Sequence, residues 1–192
     1  VQHGRWQQAE QFCFLDFPIV ELSGKTLGVL GYGELGQEVA RLAQALGIKI
    51  LVGNLPNRQH AGRLSLEELL PQVDVLTLHC PLNDSTKDLI AEKELALMKP
   101  TAFLINTARG GIVNEAALAH ALQHRKLAGA ATDVLTVEPP KQGNILLDST
   151  IPNLIITPHS AWGSVQARQR IVQQLTENAQ GFISGKIIRQ VN

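Results

Sequence analysis

The chain has 192 residues, 44% of them hydrophobic, with 17 Lys and Arg against 17 Asp and Glu. That length and apolar content support one well-packed core. The even charge balance gives no electrostatic reason to expect a nucleic acid or a membrane surface as partner.

Residues 1–22 mix Trp6, Phe12, Phe14 and Phe17 with polar residues and break at Pro18, which predicts a short helix and then an irregular connector. Residues 26–31 read as a strand. Residues 34–46 read as a helix with Leu35, Val39, Leu42 and Leu46 at apolar positions, stopped by Gly47. A second strand is expected over 48–52. Ser65-Leu66-Glu67-Glu68 is a capping box, so a short helix should start near Ser65 and stop before Pro71. A third strand over 74–78 is closed by Cys80-Pro81, a helix over 92–98 ends before Pro100, and a fourth strand follows over 102–105. Asn114 can cap a helix running to about His124. Two further strands are expected over 127–133 and 154–157, and a long helix over 164–184 closes the chain. Strands alternating with helices at this spacing mean parallel crossover units. The expected fold class is α/β, a doubly wound parallel sheet in a single domain.

Gly31-Tyr32-Gly33-Glu34-Leu35-Gly36 is a GxGxxG turn with a strand before it and a helix after. The first glycine permits the tight turn, the second lets the backbone approach a pyrophosphate, and the third lets helix and strand pack closely. The N–H groups around Glu34 and Leu35 open a helix and face the anion. In this context the turn reads as a dinucleotide site. NAD-specific domains usually carry Asp or Glu about 20 residues further on. Here Asn54 ends the second strand, no carboxylate lies between Glu38 and Glu67, and Arg58 and Arg63 follow. Losing the carboxylate removes repulsion against a 2′-phosphate, which a nearby Arg can pair with. The cofactor is therefore expected to be NAD or NADP.

Arg109, Glu138 and His159 each follow a predicted strand, and ligands of open parallel sheets bind beyond the carboxyl ends of the strands. An imidazole can move a hydroxyl proton near neutral pH. A carboxylate on its other ring nitrogen fixes the tautomer, and the planar fork of an arginine suits a carboxylate and carbonyl. Together they fit reversible hydride transfer to a carbonyl acid. His3, His60, His79, His120 and His124 read as ordinary surface or satisfied histidines, although His79 also ends a strand. Cys80 and Pro81 read as a wall of the nucleotide site. Cys13 and Cys80 form no CxxC, which argues for reduced thiols in the cytoplasm and against a metal site. No apolar run approaches the roughly 20 residues of a membrane span.

The segments Asn106-Thr107-Ala108-Arg109-Gly110-Gly111, Asp133-Val134 leading to Glu138-Pro139, and Thr157-Pro158-His159-Ser160-Ala161-Trp162 resemble the signatures of D-2-hydroxyacid dehydrogenases. Leu22-Ser23-Gly24-Lys25-Thr26-Leu27-Gly28 and Gly185-Lys186 match that family as well. Phe12-Cys13 and His-Ser-Ala-Trp resemble its glycerate dehydrogenase (hydroxypyruvate reductase) branch. The resemblance implies that Arg109 binds and polarises the 2-oxoacid, that His159 is the acid/base, and that Glu138 supports His159. It implies that Asp133 lies near the nicotinamide carboxamide, and that Cys80, Pro81, Thr107 and Ala108 line the cofactor.

The resemblance also implies a homodimer, with Trp6 a candidate for its interface and Trp162 for a pocket or subunit contact. It further implies a substrate domain built largely from residues preceding this chain. The start at Val1 carries the expectation of a fragment that binds dinucleotide but turns over little substrate. The alternative is a dinucleotide-sensing regulatory protein of the same fold, akin to the C-terminal-binding corepressors, and a third reading is a bare cofactor-binding module.

Overall fold

The computed structural model describes residues 1–16 and 18–190. Six strands, β1 (Thr26–Leu30), β2 (Lys49–Gly53), β3 (Val75–Leu78), β4 (Phe103–Asn106), β5 (Gly129–Thr132) and β6 (Leu154–Ile156), form one sheet in the order β2-β1-β3-β4-β5-β6. Every pairing is parallel. A single parallel bridge from Gly53 to Leu64 lies beyond β2, where a further strand would sit. The helices are α1 (Glu34–Ala45), α2 (Leu66–Leu69), α3 (Glu92–Leu97), α4 (Glu115–Gln123) and α5 (Val165–Ile183), with a short 3₁₀ turn at Ile145–Leu147. The expected doubly wound α/β sheet is present, a Rossmann-type fold. Strand order reverses between β1 and β3, which sets the ligand crevice at their carboxyl ends.

The two faces of the sheet are packed differently. On one, Leu69, Leu76, Leu78, Ile90, Leu104, Ile112 and Leu122 are fully buried among α2, α3 and α4. On the other, a smaller cluster joins Leu27 and Val29 to Ala40 and Ala43 of α1. The buried face of α1 is Gly36, Ala40 and Ala43, whereas Leu35, Leu42 and Leu46 are exposed, contrary to the leucine face expected from the sequence. The reason is proximity. A Cβ on Gly36 would fall 2.1 Å from the Gly31 carbonyl oxygen, so the helix meets the strand through its smallest residues and its leucines are turned away.

Asp74 secures the entrance of β1 and β3, accepting the Thr26 N–H and the Lys99 ammonium, each at 2.9 Å. Burial acts to raise its carboxyl, but these donors outweigh burial and hold it below the ordinary aspartate value.

One further expectation changes. Residues 1–16 form turns and bends, not a helix. Gly4 sits at φ +78° and Phe12 is 90% exposed, so this stretch has no apolar face against which a helix could pack. It is held locally instead. Arg5 stacks over Phe14 at 4.6 Å and pairs with Asp16 at 3.1 Å, and the Trp6 indole N–H donates to the Phe12 carbonyl. Phe17 lies outside the described residues. The strand expected over 154–157 is present as β6, a half-exposed edge with Ile155 facing solvent, since among the described residues no strand pairs with its outer side. α5 is capped by Ser164, whose hydroxyl accepts the Ala167 N–H, yet none of its residues is buried. Among the described residues, no helix is long and apolar enough to cross a membrane.

Candidate active site

β1 delivers the chain into Gly31 at φ +91°, a left-handed conformation that favours glycine. A Cβ there would also strike the Cys80 N–H nitrogen at 2.5 Å, so the turns after β1 and β3 lie in contact. Gly33 differs from both its partners: a Cβ on it would meet nothing within 4 Å. Gly33 is the N-cap of α1 and no side chain caps that end. An open cradle at an uncapped helix N-terminus fits the pyrophosphate of a dinucleotide, so the expected roles of Gly31, Gly33, Glu34, Leu35 and Gly36 suit this geometry.

Beside the turn is a pocket of about 330 Å³ lined by Gly31, Tyr32, Gly33, Leu55, Arg58, His60, Arg63, His79 and Pro81. Arg58 stands in its wall. Asn54 does not; its side-chain amide donates to the Arg63 carbonyl at 3.1 Å and its oxygen accepts the His60 N–H at 3.0 Å. Asn54 thus shapes the loop that presents Arg58, His60 and Arg63. Arg63 also lies over the Tyr32 ring at 5.7 Å. His60 and His79, expected to be ordinary histidines, both line this pocket. The His79 ring meets the Thr77 hydroxyl at 3.0 Å, and burial holds its imidazole below the usual histidine range. Cys80 backs the turn instead of lining the pocket, and burial pushes its thiol up to about 11.

The polar cluster expected from the sequence is assembled from three loops at the ends of β4, β5 and β6. Asp133 is almost fully buried and receives the Thr157 hydroxyl, with the Ser160 and Ala161 N–H groups each at 2.9 Å. Its backbone carbonyl accepts the His159 N–H at 2.8 Å. Burial alone would raise the Asp133 carboxyl, but these donors and the nearby His159 ring hold it below the ordinary value. His159 is consequently fixed at φ +51°, a conformation that non-glycine residues adopt sparingly and that recurs at functional sites. Asp133, assigned to the cofactor from the resemblance, thus also anchors the loop that carries His159.

His159 Nδ1 lies 2.6 Å from Glu138 Oε2, while Glu138 Oε1 accepts the Leu135 N–H at 2.7 Å. Burial works against the Glu138 carboxylate; the Leu135 N–H and His159 outweigh it, so its pKa is below the usual glutamate value. The pair borders a cleft of about 530 Å³ that also takes in Asp133, Leu135, Pro139, Ile156 and Pro158. Arg109 is exposed and donates to the Ala108 carbonyl at 2.7 Å, not to Glu138 or His159. Its loop is tied down by Asn106, whose side chain accepts the Ala108 N–H and donates to the Arg109 carbonyl. Thr107 and Ala108 lie in the same loop. Gly110 then presses against the next loop: a Cβ there would fall 1.9 Å from the Leu135 oxygen.

The structure therefore joins Glu138 to His159 directly and brings the Arg109 loop against theirs through Gly110. Sequence reasoning missed Tyr32, His60 and His79 as pocket residues, and Asn106 and Glu115 as loop anchors. Asn106 is a polar residue ending an apolar strand run, which was a usable signal. Nothing marked Glu115 beyond its place in the first turn of a helix.

A family model described as D-isomer specific 2-hydroxyacid dehydrogenase, NAD binding domain, matches residues 1–161. The chain is 48% identical over 186 residues to a glycerate dehydrogenase of Methylorubrum extorquens, covering 97% of this chain and 59% of that one. It superimposes with a TM-score of 0.82 and 32% identity on an acyclic imino acid reductase in complex with NADPH and D-Arg, covering 100% of this chain and 61% of that one. The NAD-complexed D-isomer specific 2-hydroxyacid dehydrogenase of Lactobacillus delbrueckii ssp. bulgaricus gives the same TM-score at 28% identity, over 99% and 63% of the two chains. The chain thus spans about three fifths of the length of these relatives. It belongs to the D-isomer specific 2-hydroxyacid dehydrogenase family.

Proposed function

We propose that this chain is the cofactor-binding part of an oxidoreductase that interconverts a D-2-hydroxyacid and its 2-oxoacid, with glycerate and hydroxypyruvate, or glyoxylate, as substrates. The observation that carries this reading is the 2.6 Å bond from His159 Nδ1 to Glu138 at the rim of a cleft. A reduced nicotinamide dinucleotide, when bound, supplies the hydride that ends on C2 of the oxoacid. With Nδ1 committed to Glu138, the His159 Nε2 faces the reaction. It gives its proton to the carbonyl oxygen on reduction and takes the hydroxyl proton on oxidation. Glu138 balances the charge on the ring in its protonated state and fixes its orientation. Arg109, whose fork has donors to spare beyond its bond to Ala108, pairs with the substrate carboxylate.

The pocket beside the glycine turn carries Arg58, His60, Arg63 and His79 and no carboxylate. That wall suits a 2′-phosphate, so NADPH is read as a cofactor at least as good as NADH. The remaining length found in the relatives is read as the second wall of the cleft, which excludes water and completes substrate positioning. This chain alone is then expected to bind dinucleotide with little turnover.

The test is the full-length protein with a panel of 2-oxoacids, each run with NADH and with NADPH. Reduction of hydroxypyruvate or glyoxylate, reduced at least about 100-fold in Arg109→Ala and His159→Ala with cofactor binding kept, supports the reading. No turnover of any 2-oxoacid, or unchanged rates in both variants, overturns it.

A further inference from the structure

Glu115 opens α4 and touches neither of the clefts, yet both its carboxylate oxygens are engaged. Oε1 accepts the Thr136 N–H at 2.7 Å and Oε2 accepts the Asn144 side-chain amide at 2.8 Å. Thr136 directly follows Leu135, whose N–H holds Glu138 Oε1 and so leaves Oε2 aimed at His159. On its other side the Leu135–Thr136 peptide is pressed by Gly110, next to Arg109. Apart from the Glu138–His159 bond, the hydrogen bonds that residues 136–144 make to distant parts of the chain, among the described residues, all go to Glu115. Hydrophobic packing does not replace them, since Val137 is 65% exposed.

We propose that Glu115 is a positioning residue for the acid/base pair: it fixes the 135–138 turn, which aims Glu138 at His159 and keeps the Arg109 loop in register with both. The proposal rests on the functional reading above. An anionic acceptor suits the task because charge-assisted bonds are about twice as strong as neutral ones. A negative group in the first turn of α4 also interacts favourably with the helix dipole. Without Glu115 the turn keeps only its own local bonds, and Glu138 loses the fixed frame from which it reaches the ring.

The experiment compares Glu115→Ala and Glu115→Gln with the unmodified full-length protein. It reads kcat and KM for hydroxypyruvate, the pH profile of kcat/KM, NAD(P)H affinity by fluorescence, and the downfield proton NMR signal of the His159 Nδ1–H. Glu115→Ala is expected to lower kcat about tenfold or more, move the pH profile, and broaden or remove the Nδ1–H signal, with NAD(P)H affinity within about twofold. Glu115→Gln keeps an acceptor for Thr136 but sets its NH₂ against that of Asn144, and should recover most of the rate and the signal. It carries the test if the alanine variant does not fold. An alanine variant that melts earlier but keeps kcat, pH profile and NMR signal overturns the proposal, as does a glutamine variant no better than alanine. If the unmodified protein reduces no 2-oxoacid, the functional reading fails while the NMR comparison still decides whether Glu115 holds the Glu138–His159 bond.

Discussion

Gly110→Ala is the sharpest perturbation of the site, because it adds one methyl group between the loops that carry Arg109 and Glu138. The new Cβ would lie 1.9 Å from the Leu135 oxygen, 2.1 Å from its carbon and 2.6 Å from the Thr136 nitrogen, all backbone atoms that no rotamer change can move aside. Ordinary contact begins at 3.4 Å, so the loops must part by roughly 1.5 Å. Misplacement of a catalytic group by about 1 Å can cost 10²-fold in rate. A loss of at least about 100-fold in kcat/KM is expected, equal to about 2.7 kcal/mol of transition-state stabilisation. The glycine turn keeps its own contacts, so NAD(P)H affinity should fall much less than the rate even though Thr107 and Ala108 share the displaced loop. The assay is steady-state reduction of hydroxypyruvate by the full-length protein, with NAD(P)H binding followed by fluorescence. A Gly110→Ala variant with kcat/KM within threefold of the unmodified protein would refute the idea that the two loops must touch for the site to work.

The glycines of the turn should separate binding from folding. Gly33→Ala meets no protein atom and is expected to leave the melting temperature nearly unchanged while weakening NAD(P)H binding at least about tenfold, since its Cβ enters the pyrophosphate cradle. Gly36→Ala, with its Cβ 2.1 Å from the Gly31 oxygen, should instead lower the melting temperature, and equal stability of the two variants in a thermal scan would contradict this division. Asp74, Asp133 and Glu138 all have pKa values below their ordinary ones. The stability they contribute is therefore complete above the ordinary carboxylate range of about 4 and is lost as pH falls through their lower folded values. Thermal scans from pH 7 to pH 3 should show a decline that is smaller in Asp133→Asn, which starts less stable by about 1–3 kcal/mol; an unchanged pH slope would count against it. Cys80 is 2% exposed with its thiol pushed up to about 11, so a thiol reagent at pH 8 should label Cys13 and leave Cys80 untouched until the chain unfolds. Rapid native labelling of Cys80 would show that the turns after β1 and β3 do not close on each other as described.

Legibility in the sequence followed the scale of the signal. The inner strands were readable because strands buried on both faces are continuous apolar runs, and two of the helices because Ser65 and Asn114 cap them with side-chain oxygens. The meeting of Glu138 and His159 was foreshadowed because both follow predicted strands, whereas Arg109, also placed after a strand, bonds to Ala108 instead. The face of α1 was misread because periodicity ranks leucine above alanine, while close approach to β1 admits only Gly36, Ala40 and Ala43. The N-terminal stretch was misread because scattered aromatics suggest a helix, whereas Trp6 and Phe12 are exposed and held by local contacts. The loop anchors were the least visible. Glu115 holds a backbone group 21 residues away and Asn54 holds groups in the next loop, and a hydrogen bond to a peptide leaves no trace in the identity of the residue whose backbone makes it. The position of Asn54 at the end of the second strand was noticed, but not that its side-chain amide holds the following loop.

The most direct test of the central claim follows the hydrogen itself. Full-length protein, hydroxypyruvate and NAD(P)H carrying deuterium at the reactive C4 position are incubated, and the product is examined by mass spectrometry and chiral chromatography. The account requires D-glycerate with one deuterium on C2, and its loss by at least about 100-fold in His159→Ala with NAD(P)H binding retained. Product without deuterium, product of the opposite configuration, or an unimpaired His159→Ala variant would contradict it.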